Sequence, residues 1–174
     1  MDSVFNELYD KYHHDVYKFL FYMTKNKEHA EDLTQEVYIR VLRAYSSFEG
    51  QSSEKTWIFS IERNVAIDFF RKQKSLKDRF LERFDWAENQ LKDTNKLPED
   101  FILHSEELNI LYSFLNFLTV DQRTVVLLRY YHDLSICETA ATLNWSESKV
   151  KTTQHRAIKK LKNLINEQQI EVRK

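Results

Sequence analysis

One glycine and one proline in 174 residues narrow the folds open to this chain more than any other feature of it. Average usage would supply roughly twelve glycines and nine prolines. Tight hairpins draw on glycine or asparagine at their reversals, because the two turn residues adopt positive φ. Phosphate-cradling loops and the nucleophile elbow need glycine at fixed offsets. A single glycine therefore excludes the Walker loop, the G-x-G-x-x-G fingerprint and the G-x-S-x-G elbow together. What remains is helices joined by short polar connections, so the chain is expected to be all-α. Cys137 is the sole cysteine, which excludes an intrachain disulfide and a cysteine-built zinc cluster and fits a reducing compartment. The start, Met1-Asp2-Ser3, has no basic leader segment, and no run of about 18 apolar residues occurs, so a cytoplasmic location is expected.

The net charge of −1 conceals a pattern. From Lys149 to Lys162 there are six basic residues and no acid, and Glu54 to Lys77 has a net charge of +3. Between them, Asp78 to Glu107 has a net charge of −5. Two basic regions flanking an acidic middle suit a nucleic-acid partner in a way the total does not.

Three helical patterns occupy the first half. Phe5, Leu8, Tyr9, Tyr12, Val16, Phe19, Leu20 and Met23 recur at three- and four-residue steps, as on one buried helix face. A second pattern runs through Ala30, Leu33, Val37, Val41, Leu42 and Tyr45, and stops near Ser46-Ser47. Gly50 lies in the following loop, Glu49 to Ser53. Ser53 is placed to cap a third helix with Ile58, Ile61, Val65 and Phe69 inward. Glu54 and Glu62 lie in its N-terminal half and Arg71, Lys72 and Lys74 at its end, a polarity that suits the helix dipole. From about Lys74 to His104 the periodicity fades into a polar, acidic linker, with room for a short helix around Leu81 to Leu91.

A second unit begins near Ser105, with Leu108, Leu111, Tyr112 and Leu115 on one face. Thr119 to Gln122 and Ser135 to Glu138 both fit the S/T-x-x-E/Q capping box. The first opens a helix through about Tyr131 and the second a helix ending near Leu143. Asn144 then tolerates the left-handed turn. Ser146 caps a last helix with Val150, Ala157, Leu161, Leu164 and Ile165 inward.

Two short helices around a tight turn, the second strongly basic, form a helix-turn-helix pattern. Lys149, Thr152, Thr153, Arg156 and Lys160 share a face that can enter a major groove, with Thr and Arg on base edges and Lys on phosphates. The plain alternative is a solvated helix at the end of a bundle. On the third helix, basic residues interleave with Trp57, Phe59, Phe69 and Phe70, which suits single-stranded nucleic acid. Trp57, Ile58, Ile61 and Val65 fit a core role as well. Asp32, Gln35 and Glu36 lie together on the second helix, either as a patch for a basic partner or as an ordinary solvated face. No catalytic constellation is evident. The six histidines show neither H-E-x-x-H nor H-x-x-x-H spacing. Cys137, inside a capping box, is expected to be buried, and no cofactor or metal is expected.

These motifs together resemble a known family. Glu31 to Leu42, reading EDLTQEVYIRVL, looks like the core-polymerase-binding helix of sigma-70 superfamily factors. Glu54 to Arg71 resembles their promoter-melting, minus-ten-reading helix, and Leu118 to Ala157 is similar to their minus-thirty-five-reading domain. The arrangement resembles the short extracytoplasmic-function (ECF) group, and Phe48 to Trp57 looks most like the sigma-X type of Bacillus-like bacteria. The resemblance implies a sigma-2-like helical bundle at 1–75, a linker at 76–104 and a sigma-4-like helix-turn-helix domain at 105–174. It implies that Asp32, Gln35, Glu36 and Arg40 contact the clamp helices of the polymerase largest subunit, with a further contact to the flap. Gly50, Ser52, Ser53, Lys55, Arg63, Asn64, Asp68, Arg71 and Lys72 would meet the opened minus-ten strand, with one base flipped into the loop. Ser148, Lys149, Lys151, Thr152, Thr153, Arg156 and Lys160 would meet the minus-thirty-five element. The acidic linker would lie in the RNA-exit path. An anti-sigma factor, often membrane-anchored in this family, would hold the protein inactive, with no membrane insertion by the chain itself.

Three positions depart from the family pattern. Asn144-Trp145 replaces the usual Gly-Ile or Gly-Val of the turn. Ser148 to Thr153 differs from the usual Gly-Thr-Val-Lys-Ser-Arg, which alters the expected upstream base preferences. Glu62 stands where a small residue is common, with weaker non-specific DNA affinity expected. The reading is thus an all-helical initiation factor and not an enzyme. A stand-alone dimeric helix-turn-helix regulator and a sigma mimic that binds no DNA are the alternatives.

Overall fold

A computed structural model describes residues 2–48, 50, 52–81 and 112–172, with side chains described for 5–48, 50, 52–76 and 112–167. The chain divides into two compact units, Met1–Asn95 and Lys96–Lys174. Among the described residues there is no strand. The expected linker beyond Leu81, with nearly all of its short helix, and Leu108 and Leu111 lie outside the described residues.

Among its described residues the first unit holds three helices, α1 (Asp2–Thr24), α2 (Lys27–Ala44) and α3 (Glu54–Leu81), with a 3-10 turn at Tyr45–Ser47. Each helix packs against the other two. Lys25 takes φ 57° to reverse the chain after α1, and Asn26 then caps α2 by accepting from the His29 N–H at 2.9 Å. The core joins Leu8, Val16, Phe19, Leu20 and Met23 to Ala30, Val37 and Val41, and to Ile58, Val65 and Ala66. The last turns of α1 are buried on every side, since Phe21 and Tyr22 are as enclosed as Phe19 and Leu20.

Several expectations need correction here. Leu42 is 48% exposed, because the buried stripe of α2 runs Ala30, Thr34, Val37, Val41 and the next residue is turned about 100° away from it. Tyr9 also lies at the surface. The third helix does not fade at Lys74 but continues to Leu81. Neither glycine nor proline occurs between Lys74 and Leu81, so nothing local stops it.

In the second unit, residues 112–114 are helical and lead into a 3-10 turn at Leu115–Phe117. There follow α4 (Val120–Val126), α5 (Ile136–Leu143) and α6 (Glu147–Val172). Both expected capping boxes are present, Thr119 with Gln122 and Ser135 with Glu138. The helix expected through Tyr131 changes character after Val126. Leu127–Tyr131 forms a π turn, with the His132 N–H returning to the Leu127 carbonyl at 2.9 Å. Val125, Leu127, Leu128, Leu134, Leu143, Val150, Ala157 and Leu161 make the core. Leu164 and Ile165, expected inward, are only half-buried. Arg123 is buried with them. Its Nε donates to the Leu115 carbonyl at 2.9 Å, and burial lowers its guanidinium pKa to about 10.

Cys137 is exposed, against the expectation that it is buried. On α5 the inward residues are Thr139, Ala140, Thr142 and Leu143, and helical geometry puts Cys137 on the other side.

Candidate functional site

Three exposed surfaces carry the residues singled out by the sequence. The first lies on α2, where Asp32 and Gln35 are exposed and Glu36 is half-buried. Ile39 at 43% and Leu42 at 48% exposure continue the same side of the helix. They turn a polar patch into an amphipathic one. Their signal was present, Ile39 standing seven residues after Asp32 and four after Gln35 and Leu42 seven after Gln35, but an apolar residue beside a buried stripe reads as part of it.

Arg40 is placed differently from the rest of its set. Its Nε donates to Glu36 Oε1 at 2.8 Å, and its Nη1 to Asp68 Oδ2 on α3 at 3.3 Å. The other Asp68 oxygen accepts from Arg71 Nη2 at 2.9 Å. Glu36, Arg40, Asp68 and Arg71 thus form one chain of alternating charge across two helices. Residues assigned to polymerase and residues assigned to DNA are bonded to one another.

The second surface comprises the loop before α3 and the outer side of that helix. Gly50 has φ 71°, and a Cβ there would meet no atom within 4 Å. Its need is therefore torsional, since L-residues avoid this region. Ser52 and Ser53 are exposed, with Ser53 Oγ accepting from the Thr56 N–H at 3.1 Å to cap the helix. Phe48 packs on Trp57 with ring centroids 4.7 Å apart, which ties the approach to the loop against the helix. Asn64, Arg71 and Lys72 are exposed, and Lys55, Arg63 and Asp68 half-buried. Arg63 Nη1 donates to Asn64 Oδ1 at 2.8 Å.

Two expectations fail on α3. Phe59 is fully buried and cannot stack on a base. Glu62 is also fully buried, so it faces the protein interior and not DNA. It occupies a place in the core stripe, four residues after Ile58 and three before Val65. Burial, and then the nearby Asp15 carboxylate, push its carboxyl well above the usual carboxylate range.

The third surface is the turn and α6. Asn144 adopts the left-handed conformation, φ 52° and ψ 46°, and the Trp145 N–H returns to the Ala140 carbonyl at 2.9 Å. The substitution of Asn144-Trp145 for the family's glycine turn is thus accommodated without losing the helix-ending bonds. Ser146 Oγ accepts from the Lys149 N–H at 3.3 Å. Ser148, Lys149, Lys151, Thr152, Arg156 and Lys160 are exposed, and Thr153 is half-buried. Lys149 Nζ lies 3.6 Å from the centroid of the Trp145 ring, while Lys151 Nζ reaches Glu147 Oε2 at 3.4 Å.

The helix is braced at Gln154 by Arg129, half-buried, which donates to Gln154 Oε1 at 3.2 Å and to the Leu134 carbonyl. An apolar hollow of about 250 Å³ between the π turn and α6 is lined by Leu115, Val126, Leu127, Tyr130, Ile158 and Leu161, among others. Among the described residues, no group of His, Cys, Asp and Glu could hold a metal ion. None of the helices there is long and apolar enough to cross a membrane.

Comparison with known proteins matches the same segments. Residues 8–76 match Sigma-70 region 2, and residues 114–163 match Sigma-70, region 4. The ECF RNA polymerase sigma factor SigX of Bacillus subtilis is 52% identical over 162 residues, covering 93% of this chain and 84% of SigX. RNA polymerase sigma factor YlaC of the same organism is 34% identical, over 92% of this chain and 91% of YlaC. Among solved structures, the sigma factor RpoE in complex with the anti-sigma factor NepR from Bartonella quintana has a similar fold. Its TM-score is 0.73 at 24% identity, covering 93% of this chain and 96% of that one.

Two helical units that match sigma-70 regions 2 and 4 define a transcription-initiation factor, not an enzyme. More narrowly, the chain belongs to the extracytoplasmic-function group of RNA polymerase sigma factors.

Proposed function

We propose that the three surfaces divide the work of initiation among themselves. The α2 side, with Asp32, Gln35, Glu36 and Arg40, docks on the clamp helices of the polymerase largest subunit. Ile39 and Leu42 add the apolar area a protein partner would bury. Gly50, Ser52, Ser53, Lys55, Arg63, Asn64, Asp68, Arg71 and Lys72 meet the opened minus-ten strand. Ser148, Lys149, Lys151, Thr152, Thr153, Arg156 and Lys160 meet the minus-thirty-five element, and the hollow beside Tyr130 receives an apolar segment of the flap. Residues 1–75 and 105–174 are the two working domains, joined by 76–104. Control by an anti-sigma factor, membrane-anchored and covering the DNA-binding surfaces from the cytoplasmic side, completes the reading. RpoE of Bartonella quintana was captured with an anti-sigma factor, NepR.

The observation that carries this proposal is the presence on one chain of an exposed amphipathic face on α2 and an exposed basic face on α6. A dimeric regulator needs only the second, and a sigma mimic only the first. The test is single-round transcription by bacterial core polymerase on pooled genomic fragments, with core alone as control. Discrete factor-dependent transcripts are expected, and Arg156→Ala should abolish most of them while leaving core binding intact. Core bound but silent, with Arg156→Ala indistinguishable, would favour the mimic. No binding to core would favour the dimeric regulator.

A further inference from the structure

Lys149 occupies an awkward place. It is the third residue of α6, where unsatisfied N–H groups and the helix dipole already concentrate positive charge. The acid in that turn, Glu147, is taken by Lys151 at 3.4 Å. The ammonium of Lys149 instead lies over the Trp145 ring, 3.6 Å from its centroid. The indole face, the most electron-rich of the aromatic side chains, supplies attraction for a cation that the helix end withholds.

The backbone fixes this pair. Asn144 in its left-handed conformation, the Trp145 N–H on the Ala140 carbonyl at 2.9 Å, and Ser146 Oγ on the Lys149 N–H at 3.3 Å leave neither backbone free to drift. Trp145 is itself half-buried at the turn. A lysine arm so held loses less freedom on meeting a phosphate or base edge than one that must first be ordered.

We propose that Trp145 is a positioning residue for upstream-element binding: its indole holds the Lys149 ammonium at the start of α6, so the two act on DNA as one unit. The proposal rests on the reading of α6 as the helix that meets the promoter. It gives the Asn144-Trp145 departure a use, since the smaller aliphatic residue usual at this place offers no ring to a cation.

The test is a double-mutant cycle in reconstituted holoenzyme, on a promoter found by the transcription experiment above. Trp145→Leu and Lys149→Ala should each weaken promoter binding by about two- to fivefold, the range of an exposed cation–π contact. The double variant should be no weaker than the worse single one, and Trp145→Phe should lie between Trp145→Leu and the natural chain. In the NMR spectrum of the full chain, the Lys149 ε-methylene protons should be shifted upfield by the ring and lose that shift in Trp145→Leu. Losses that multiply in the double variant, tighter binding by Trp145→Leu, or absence of the ring shift would overturn the proposal. Arg156→Ala serves as the control for α6. If it and Lys149→Ala both leave binding unchanged, the assignment of α6 to DNA has failed and the proposal falls with it. If Arg156→Ala weakens binding while Trp145 and Lys149 act independently, the assignment stands and only the proposal fails.

Discussion

At the scale of single residues, the interior of the first unit contains a carboxyl that ordinary packing would exclude. Glu62 has no exposed surface, and burial followed by Asp15 raises its pKa. The pKa of Tyr38 is also raised, by burial first and then by Glu62, Tyr9 and Asp15. Below the ordinary carboxylate range Glu62 is protonated whether the chain is folded or not, and its titration does not affect stability. As pH rises above that range the unfolded chain releases the proton and the folded one keeps it. The folded state then binds more protons, so stability falls until the folded pKa is passed. Glu62→Gln should therefore raise stability at pH 7 relative to the natural chain and change it little near pH 4. Urea unfolding of both proteins across this interval, followed by circular dichroism, measures the difference. A Glu62 protein that gained stability relative to the Gln variant as pH rose would refute the assignment. Sequence reading placed this acid on the DNA side, although its spacing from Ile58 and Val65 put it in the core stripe. Polarity outweighed position in that reading, and a buried acid is the case in which position should prevail.

At the scale of elements, legibility followed locality. The capping boxes at Thr119 and Ser135, the left-handed Asn144 and the Ser146 cap depend on side chains within a few residues of the backbone they satisfy, and all four are found. Ser135→Ala, which removes the acceptor for the Glu138 N–H, should cost about 1 kcal/mol. Thermal unfolding of the full chain tests this, and Ser135→Asp, which restores an acceptor, should recover most of the loss. Where a helix lacks a local stop, as α3 does beyond Lys74, fading periodicity is the sole sign of an end, and the helix runs on past it to Leu81. Nor could spacing reveal the bond from Arg40 to Asp68 across 28 positions, because it depends on how α2 and α3 pack. The polar residues of each candidate surface could be named from the chain, while the exposure of Ile39 and Leu42 and the bond joining two of the surfaces required the fold. The π turn at Leu127–Tyr131 is of the second kind: its residues continue a helical pattern, and only the bond from His132 to Leu127 marks the wider turn.

At the scale of the whole molecule, a net charge of −1 and a basic α6 set the behaviour on DNA. The free chain should bind promoter fragments weakly, and attachment to polymerase should raise the effective concentration of the second contact once the first is made. Lys160→Ala, if it loses one phosphate contact, should reduce the slope of log affinity against log salt by about 0.9 in the holoenzyme without changing which promoters are chosen. Fluorescence anisotropy over a potassium chloride series reads that slope. Free chain that bound as tightly as holoenzyme would place recognition outside the polymerase. The same measurements can be made on a chain of natural sequence, because the sole cysteine, Cys137, lies at the surface of the second unit. A thiol-reactive dye has one place to attach. The arrival of α5 and α6 at polymerase or promoter can then be timed by energy transfer from a label on the partner, with no residue of the factor exchanged.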